Sequence, residues 1–516
     1  MGILFLSALF IGLFLCYYSV RYSYYSSTDY VPVYLIRDSE LWNILIFLIA
    51  CVLSLFLNKL FQKLGERQRL AGYVFLGLCC LLYAAVCLIW VTDLPYYPSG
   101  DQLNTTAAAY YNLNGNFSMI QKGGYIGKFP YQKGLVFLYE ILFTLFGEFC
   151  YPTAAKMHII MGIITLIFGY LFVEETSWNS ICKILYCPLM LFCTPWLILT
   201  PYAYGDLPSI CALTVLFWAL LRFARTGHWR YIVLSCLLAT FSLMMRVHTW
   251  IALIAMLIGM ALAAWQKRRI QNLLAAILIT TTAFGGIKLL DYSYALRSGY
   301  EITEGAPMIL TLAMGLQNNE AGPGTYNNFQ SNVLGSVDFD SDAAAAIGRE
   351  DLQNSIDYFV ANPDFAEWFF KTKVQMQWIE PSFETLMSTY SFPAEATIPD
   401  WINRIYFGDW HDPLMRFADR YQSLVYLGFL FALPVLIRKR RETAAMFIPL
   451  ITIVGGFLFS IIWEAQCRYV LPYYLFMLLY VPEGICLVGR IMEKGYRRLR
   501  PDHHQEEDEE ILPKVG

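Results

Sequence analysis

Six ionisable side chains stand where long apolar segments meet polar chain. They are Asp101, Asp206, Arg246, His248, Glu464 and Arg468. An ionisable group at a membrane boundary is unfavourable unless it is paired or functional. A carboxylate can take the proton of an attacking hydroxyl, and guanidinium groups match phosphate oxygens well. These residue types therefore suit the transfer of a group away from a phosphate.

The chemistry that they could serve is inverting glycosyl transfer from a lipid-linked donor, which needs a base and cations around a leaving phosphate. We predict two catalytic residues: Asp101 as the base, and Asp206 to orient the acceptor or a cation. The predicted binding residues for lipid phosphate and sugar are Arg468, Arg246, Glu464, Gln466, Lys128, Lys133 and His248.

Each of these residues also has a purely structural interpretation. Asp101 and Asp206 could each lie in the first turn of a helix as caps. Glu464 and Arg468 are four apart and could form an ion pair across one helical turn. Arg246 could extend to the membrane interface, and His248 could be an ordinary boundary histidine.

The composition is that of an integral membrane protein. Of 516 residues, 57% are hydrophobic and only 15% are charged, and the mean hydropathy is +0.46. The net charge of -3 gives no indication of nucleic-acid binding. Most of the 13 cysteines lie inside apolar runs without CxxC spacing, which is typical of packing residues rather than of a disulfide framework.

The apolar runs predict about twelve membrane-spanning helices. Runs of roughly 17 to 25 residues span a bilayer, and we place them near 2–20, 41–57, 71–91, 155–173, 181–200, 207–224, 231–245, 249–265, 271–290, 421–437, 443–463 and 469–489. The shorter run 135–147 is predicted to be a re-entrant or interfacial helix. Twelve spans put every Lys and Arg cluster, including 267–269, 438–441 and 494–500, on one side. Positively charged short loops stay cytoplasmic, so both termini are expected there.

The predicted fold is thus an all-α integral membrane protein with two large outer loops that carry interfacial helices. Its predicted parts are N-terminal helices at 1–91, a first outer loop at 92–154, central helices at 155–290, a loop domain at 291–420, C-terminal helices at 421–490 and a charged cytoplasmic tail at 491–516. In the loop domain, a helix is predicted to begin at Asn362-Pro363-Asp364. Its aromatic face could lie on the membrane interface or pack against the loop domain. The acidic stretch from His503 is given no role.

Several motifs resemble the multi-spanning C-type glycosyltransferases (GT-C), in particular large enzymes of Gram-positive type that use undecaprenyl-phosphate sugars. The class also includes dolichyl-phosphate-mannose protein mannosyltransferases. The matching motifs are SGDQ at 99–102, FPYQKGLVFLYEILFTLFGE at 129–148, PYAYGDLPS at 201–209, AMGLQ with GPGTYNNF within 313–329, KTKVQMQWIEPSF at 371–383 and WEAQCRY at 463–469.

The resemblance implies the GT-C fold and a donor that enters from the outer leaflet of the plasma membrane. It implies a catalytic acid in the first outer loop, here Asp101, and a second acidic motif at the outer end of a later span, here Asp206. The expected acceptor is an envelope glycan, a lipid or a protein. Gln102 stands where a paired acid would extend the first motif, so no cofactor is expected to be required, and a divalent metal remains possible but unsupported.

Two other functions remain open from the sequence. A polymerase or ligase of lipid-linked saccharides would use much the same site on the outer face. A secondary transporter or lipid flippase would suit twelve spans, although such proteins tend to have internal repeats and polar groups near the membrane midplane.

Overall fold

The structure is a computed structural model that describes residues 1–25 and 34–499. Within these limits about 77% of it is helical. The predicted acidic stretch from His503, Arg500 and most of the predicted tail lie outside the described residues. The all-α class predicted from the sequence is confirmed.

The helices run along the chain in the following order. The first half holds α1 (Gly2–Ser19), α2 (Glu40–Gln62), α3 (Gln68–Asp93), α4 (Gly100–Leu113), α5 (Tyr125–Lys128), α6 (Lys133–Phe146), α7 (Tyr151–Thr176), α8 (Ile181–Leu191), α9 (Thr194–Ile198), α10 (Asp206–Thr226), α11 (Arg230–Met245) and α12 (Thr249–Lys267). The second half holds α13 (Gln271–Ser298), α14 (Met308–Gly315), α15 (Phe329–Ser336), α16 (Ser341–Ala361), α17 (Pro363–Trp378), α18 (Thr385–Thr389), α19 (Asp400–Phe407), α20 (His411–Arg438), α21 (Ile448–Ile462), α22 (Cys467–Met477) and α23 (Val481–Leu499).

Besides the α-helices and four short 3-10 helices, the described residues form two small antiparallel hairpins. In the first, β1 (Tyr22–Tyr25) pairs with β2 (Tyr34–Arg37) just after α1. In the second, β3 (Asn318–Asn319) pairs with β4 (Gly322–Pro323) inside the 291–420 region.

Nine described helices are long and apolar enough to cross a membrane, and ten if the bent pair α22 and α23 counts as one span. The two other predicted spans, 181–200 and 231–245, correspond to shorter helices of 11 and 16 residues, α8 and α11. Twelve spans are therefore not confirmed, whereas a multi-pass membrane protein is. The first of these predicted spans is shortened because α8 ends at Leu191 and a separate short helix, α9, begins at Thr194 with Pro195 in its first turn.

The core is arranged around α10, in which nearly every residue is buried. The helices α7 and α11 pack on it from two sides. Being buried on nearly every side, α10 is apolar all round, as a central helix of a bundle must be.

The basic helix ends lie together on one face. Arg225 at the end of α10 lies 3.9 Å from Glu442, which follows α20. The side chain of Gln266 near the end of α12 donates to the carbonyl of Arg440 at 3.2 Å. Each of these helices has its other end at the opposite face, where the segments 94–150 and 299–410 connect the helices.

The short apolar run 135–147 forms α6, a helix of 14 residues. It packs on α4, where the Asn112 amide donates to Glu140 at 2.8 Å. Glu140 also accepts from Tyr294 at 3.0 Å and pairs with Arg297 at 2.7 Å at the end of α13. This buried network ties the 92–154 region to α13.

The predicted helix start at Asn362 is found at that position, since α17 begins at Pro363. Its second half, 373–378, is buried on all sides, and the Trp378 indole donates to Ser460 of α21 at 3.0 Å. Trp368 in its first half remains 46% exposed. Packing against the protein thus accounts for the second half of α17.

Candidate functional site

One cavity collects four of the predicted residues from three distant segments. Asp101, Arg246, His248 and Glu464 all line it, at the face opposite the basic helix ends. Its empty volume is about 970 Å³, counting the solvent space at its mouth. The remaining lining includes Tyr131, Gln132, Tyr204, Gln377, Ser460, Trp463, Tyr469 and Tyr473.

Asp101 is exposed and lies in the first turn of α4. The residue before it, Gly100, has a φ of +53°, in the left-handed region that favours glycine. Ser99 begins the helix in an extended conformation. The motif SGD therefore turns the chain sharply and sets the carboxylate in the first turn of α4, at the positive end of the helix dipole.

Asp206 lies behind the cavity rather than in its lining. It is 1% exposed, in the first turn of α10, and one carboxylate oxygen is 3.4 Å from an Arg246 guanidinium nitrogen. A Cβ on Gly205 would lie 2.2 Å from the carbonyl oxygen of Met245. Only glycine lets these two backbones approach so closely, which brings Asp206 and Arg246 together.

Two arginines share two tyrosine rings at the cavity wall. The Arg246 guanidinium lies 4.8 Å from the Tyr204 ring centroid and 5.3 Å from that of Tyr469. The Arg468 guanidinium lies 5.6 Å and 5.9 Å from the same two rings and 4.7 Å from the Tyr202 ring. The two cations are thereby held close to each other by cation–π contacts.

Arg468 and Gln466 stand behind this wall and do not line the cavity. Arg468 is 7% exposed and donates to the Gln466 amide oxygen at 3.3 Å and to Ser388 at 3.4 Å. Glu464 precedes α22, whereas Arg468 lies in its first turn. The structural interpretation of Glu464 and Arg468 was an ion pair across one turn of a single helix. The two residues do not lie in the same helix, so this interpretation does not apply.

Lys128 and Lys133 are also outside the cavity lining. The Lys133 ammonium is buried and pairs with Asp291 of α13. The Lys128 ammonium lies 5.6 Å from the ring centroid of Phe339. These lysines hold the 92–154 region against its neighbours, and the structure does not bring them to the other predicted residues.

A buried lysine next to the cavity was not predicted. Lys373 of α17 has no exposed surface, and its ammonium donates to the carbonyl of Gly315. Burial lowers the pKa of Lys373 to about 7, whereas the negative charge of Glu464 acts to raise it. Burial, followed by the charge of Asp101, raises the pKa of Glu464 to about 8. The two groups thus titrate in the same range and influence each other.

Burial and the neighbouring Arg246 lower the pKa of His248 well below its usual value. Its imidazole is therefore neutral at pH 7 and can either donate or accept a hydrogen bond through each nitrogen. His248 ends the short break between α11 and α12, with its ring centroid 6.4 Å from that of Tyr473.

A sequence signal for the residues that were missed did exist. Lys373 and Gln377 are four apart in the predicted helix, so both must lie on one face. Tyr202 and Tyr204 alternate directly before Asp206 in PYAYGD. In both cases the sequence shows that polar side chains lie on one side of a segment, but it does not show that they lie at the same cavity.

Among the described residues, no group of three or more His, Cys, Asp or Glu side chains could hold a metal ion. The expectation that no metal is required stays a prediction. No family model matches the chain, and no curated protein matches it.

Proposed function

We propose that this protein is an inverting glycosyltransferase that moves a sugar from a polyprenyl-phosphate donor to a cell-envelope acceptor on the outer face of the plasma membrane. One observation carries the proposal. The cavity unites an exposed carboxylate, Asp101, with the Arg246 guanidinium, whose side chain is only 10% exposed, at the face opposite the basic helix ends. A base and a phosphate-binding cation are the two groups that such a transfer needs.

In this mechanism Asp101 accepts the proton of the acceptor hydroxyl as its oxygen attacks the anomeric carbon. The bond from that carbon to the phosphate oxygen breaks, and polyprenyl phosphate leaves with the electron pair. Arg246 stabilises the growing charge on the phosphate. Arg468, behind the same tyrosine rings, adds positive charge at longer range. Asp206 acts as a positioning residue because it holds Arg246.

The acceptor in this proposal is an envelope glycopolymer, a glycolipid or a protein. No cofactor is invoked. The positive-inside rule supports an extracytoplasmic cavity, since the basic helix ends lie at the other face. The C-type glycosyltransferase motifs support the same assignment, including SGDQ around Asp101 and PYAYGDLPS around Asp206.

The test is turnover of radiolabelled undecaprenyl-phosphate sugars by the purified protein in lipid nanodiscs with a mixture of candidate acceptors. We expect release of undecaprenyl phosphate by the wild type. Asp101→Asn should lower the rate by about 100-fold or more, because a general base contributes that much. Glu148→Gln is the matched control, an exposed acid of the same 92–154 region that does not line the cavity.

Two results would overturn the proposal. Equal rates for the wild type and a folded Asp101→Asn variant would remove Asp101 as the base. If no donor is consumed by the wild type, a polymerase of lipid-linked saccharides or a transporter becomes the better interpretation.

A further inference from the structure

Several buried polar atoms that line the cavity have hydrogen-bonding capacity that no described residue satisfies. Gln377 of α17 and Tyr473 of α22 both line it and are only 1% and 3% exposed. The Gln377 amide oxygen and the Tyr473 hydroxyl have no hydrogen-bond partner among the described residues, and the same holds for Nε2 of His248 and Nε of Arg246. Buried polar atoms in proteins are nearly always hydrogen-bonded.

The orientation of the Gln377 amide is set by its surroundings. Its nitrogen donates to the carbonyl oxygens of Lys373 at 3.2 Å and Ser460 at 3.0 Å. Because a carbonyl oxygen can only accept, the nitrogen must face these two groups. The amide oxygen is left for the cavity, and it too can only accept.

This requirement distinguishes between the two halves of a lipid-phosphate sugar. A phosphodiester has no proton to donate at neutral pH, so it cannot satisfy the Gln377 oxygen. A sugar hydroxyl can donate to Gln377 and also accept from Arg246 Nε. The Tyr473 hydroxyl and the neutral His248 imidazole can play either role toward a hydroxyl.

The aromatic side chains that line the cavity suit the same ligand. Trp463 lines the cavity beside Phe459, and their ring centroids are 4.7 Å apart in a stacked arrangement. A Cβ on Gly456 would lie 2.5 Å from the Tyr473 ring, so this glycine fixes the ring's position. Aromatic faces with a few aimed polar atoms are suited to a ring that carries both C–H and O–H groups.

We infer that Gln377, Tyr473 and His248 form a sugar-binding subsite that recognises hydroxyl groups. This subsite is distinct from the phosphate site at Arg246 and Arg468. This inference rests on the proposed function for the source of the sugar, but the subsite's recognition of a hydroxylated ring does not depend on transfer. Tyr473 is its best probe, because replacing it by Phe removes one oxygen and keeps the ring.

The experiment measures binding of methyl glycosides of glucose, galactose, mannose and N-acetylglucosamine to the protein in nanodiscs, by saturation-transfer NMR titration. We expect at least one glycoside to bind the wild type and to bind Tyr473→Phe about three- to tenfold more weakly, as for loss of one hydrogen bond. The melting temperature of this variant should be unchanged, because the hydroxyl has no partner among the described residues.

Tyr480→Phe is the matched control. Tyr480 lies in the break between α22 and α23 and does not line the cavity, and its hydroxyl donates to the carbonyl of Met446 at 2.8 Å. This variant should melt at a lower temperature and bind the glycoside as the wild type does. The two tyrosines thus separate a loss of ligand contact from a loss of stability.

Equal glycoside binding by the wild type and Tyr473→Phe would overturn the subsite. If no glycoside binds to the wild type, the subsite is also overturned, and the buried polar atoms of the cavity bind water only. Donor turnover, measured on the same preparations, keeps the two proposals apart. Turnover without glycoside binding would remove the subsite alone, and glycoside binding without turnover of any donor would remove the transferase alone.

Discussion

At the scale of single residues, the charged groups around the cavity differ in what they can do because they differ in exposure. Asp101 is exposed and reaches the cavity, whereas Asp206 is buried against Arg246. A buried ion pair loses several kcal/mol when one partner is removed, because the remaining charge stays desolvated. Asp206 is therefore better suited to holding a cation in place than to exchanging protons with a substrate.

Lys373 and Glu464 lead to a prediction about pH. As the pH rises through about 7, Lys373 loses its positive charge, and as it rises through about 8, Glu464 gains a negative one. The pair passes from a net charge of +1 to -1, while Asp101, Arg246 and Glu384 also act on Glu464. An anionic donor should then bind less well, and its KM should rise by about tenfold or more between pH 6 and pH 9.

The measurement is the KM for the donor over this pH range in three proteins. Glu464→Gln should lack the rise above pH 8, and Lys373→Met should lack the rise around pH 7. A KM that is the same at pH 6 and pH 9 in the wild type would show that this pair does not act on the donor.

At the scale of helices, close approach depends on small residues. A Cβ on Gly162 of α7 would lie 2.0 Å from the Tyr83 hydroxyl of α3, and one on Gly169 would lie 1.9 Å from that of Tyr186. In a membrane there is little hydrophobic driving force between helices, so packing of this kind holds them together. The tyrosine side chains of α3 and α8 thus pack directly against glycines of α7.

Gly162→Ala should therefore destabilise the protein by about 1–3 kcal/mol, as overpacking of a tight interface does. The check is the melting temperature of the purified protein in detergent. Gly77→Ala is the matched control, because a Cβ at this position of α3 would meet nothing within 4 Å. It should leave the melting temperature unchanged or raise it, since alanine favours a helix over glycine. Equal behaviour of the two variants would contradict the packing argument.

At the scale of the whole molecule, the two faces differ in charge and in the size of their connections. One face carries the basic helix ends, joined by contacts such as that of Arg225 with Glu442. The other carries the cavity and the long segments 94–150 and 299–410. Basic loops stay cytoplasmic, so the orientation of the chain decides whether the cavity faces outward.

Orientation can be measured with single cysteines and a membrane-impermeant maleimide on intact cells. Glu148→Cys should be labelled directly, and Lys267→Cys only after the membrane is permeabilised, since these exposed positions lie at opposite faces. The wild type supplies the background, because its described cysteines are buried or half-buried. The reverse labelling pattern would place the cavity in the cytoplasm and remove the proposed donor access.

The sequence by itself determined the membrane class, most of the spanning segments and the beginning of α17 at Pro363. The reason is that each of these depends on local properties. A helix in lipid satisfies its own backbone hydrogen bonds, so about 20 apolar residues in a row suffice to identify it. The exceptions are 181–200, where the helix α8 has only 11 residues, and 231–245, where the helix α11 matches the predicted run but has only 16 residues.

Only the tertiary structure decided which polar groups meet. Asp101, Arg246, His248 and Glu464 were singled out separately from their places at helix ends, but their common cavity depends on how α4, α12 and α22 pack. Lys133 and Lys128 look equivalent in the sequence, but in the structure Lys133 pairs with Asp291 of α13. Contacts between distant segments depend on helix packing and close backbone approach, as at Gly205 against Met245, and no local pattern specifies them.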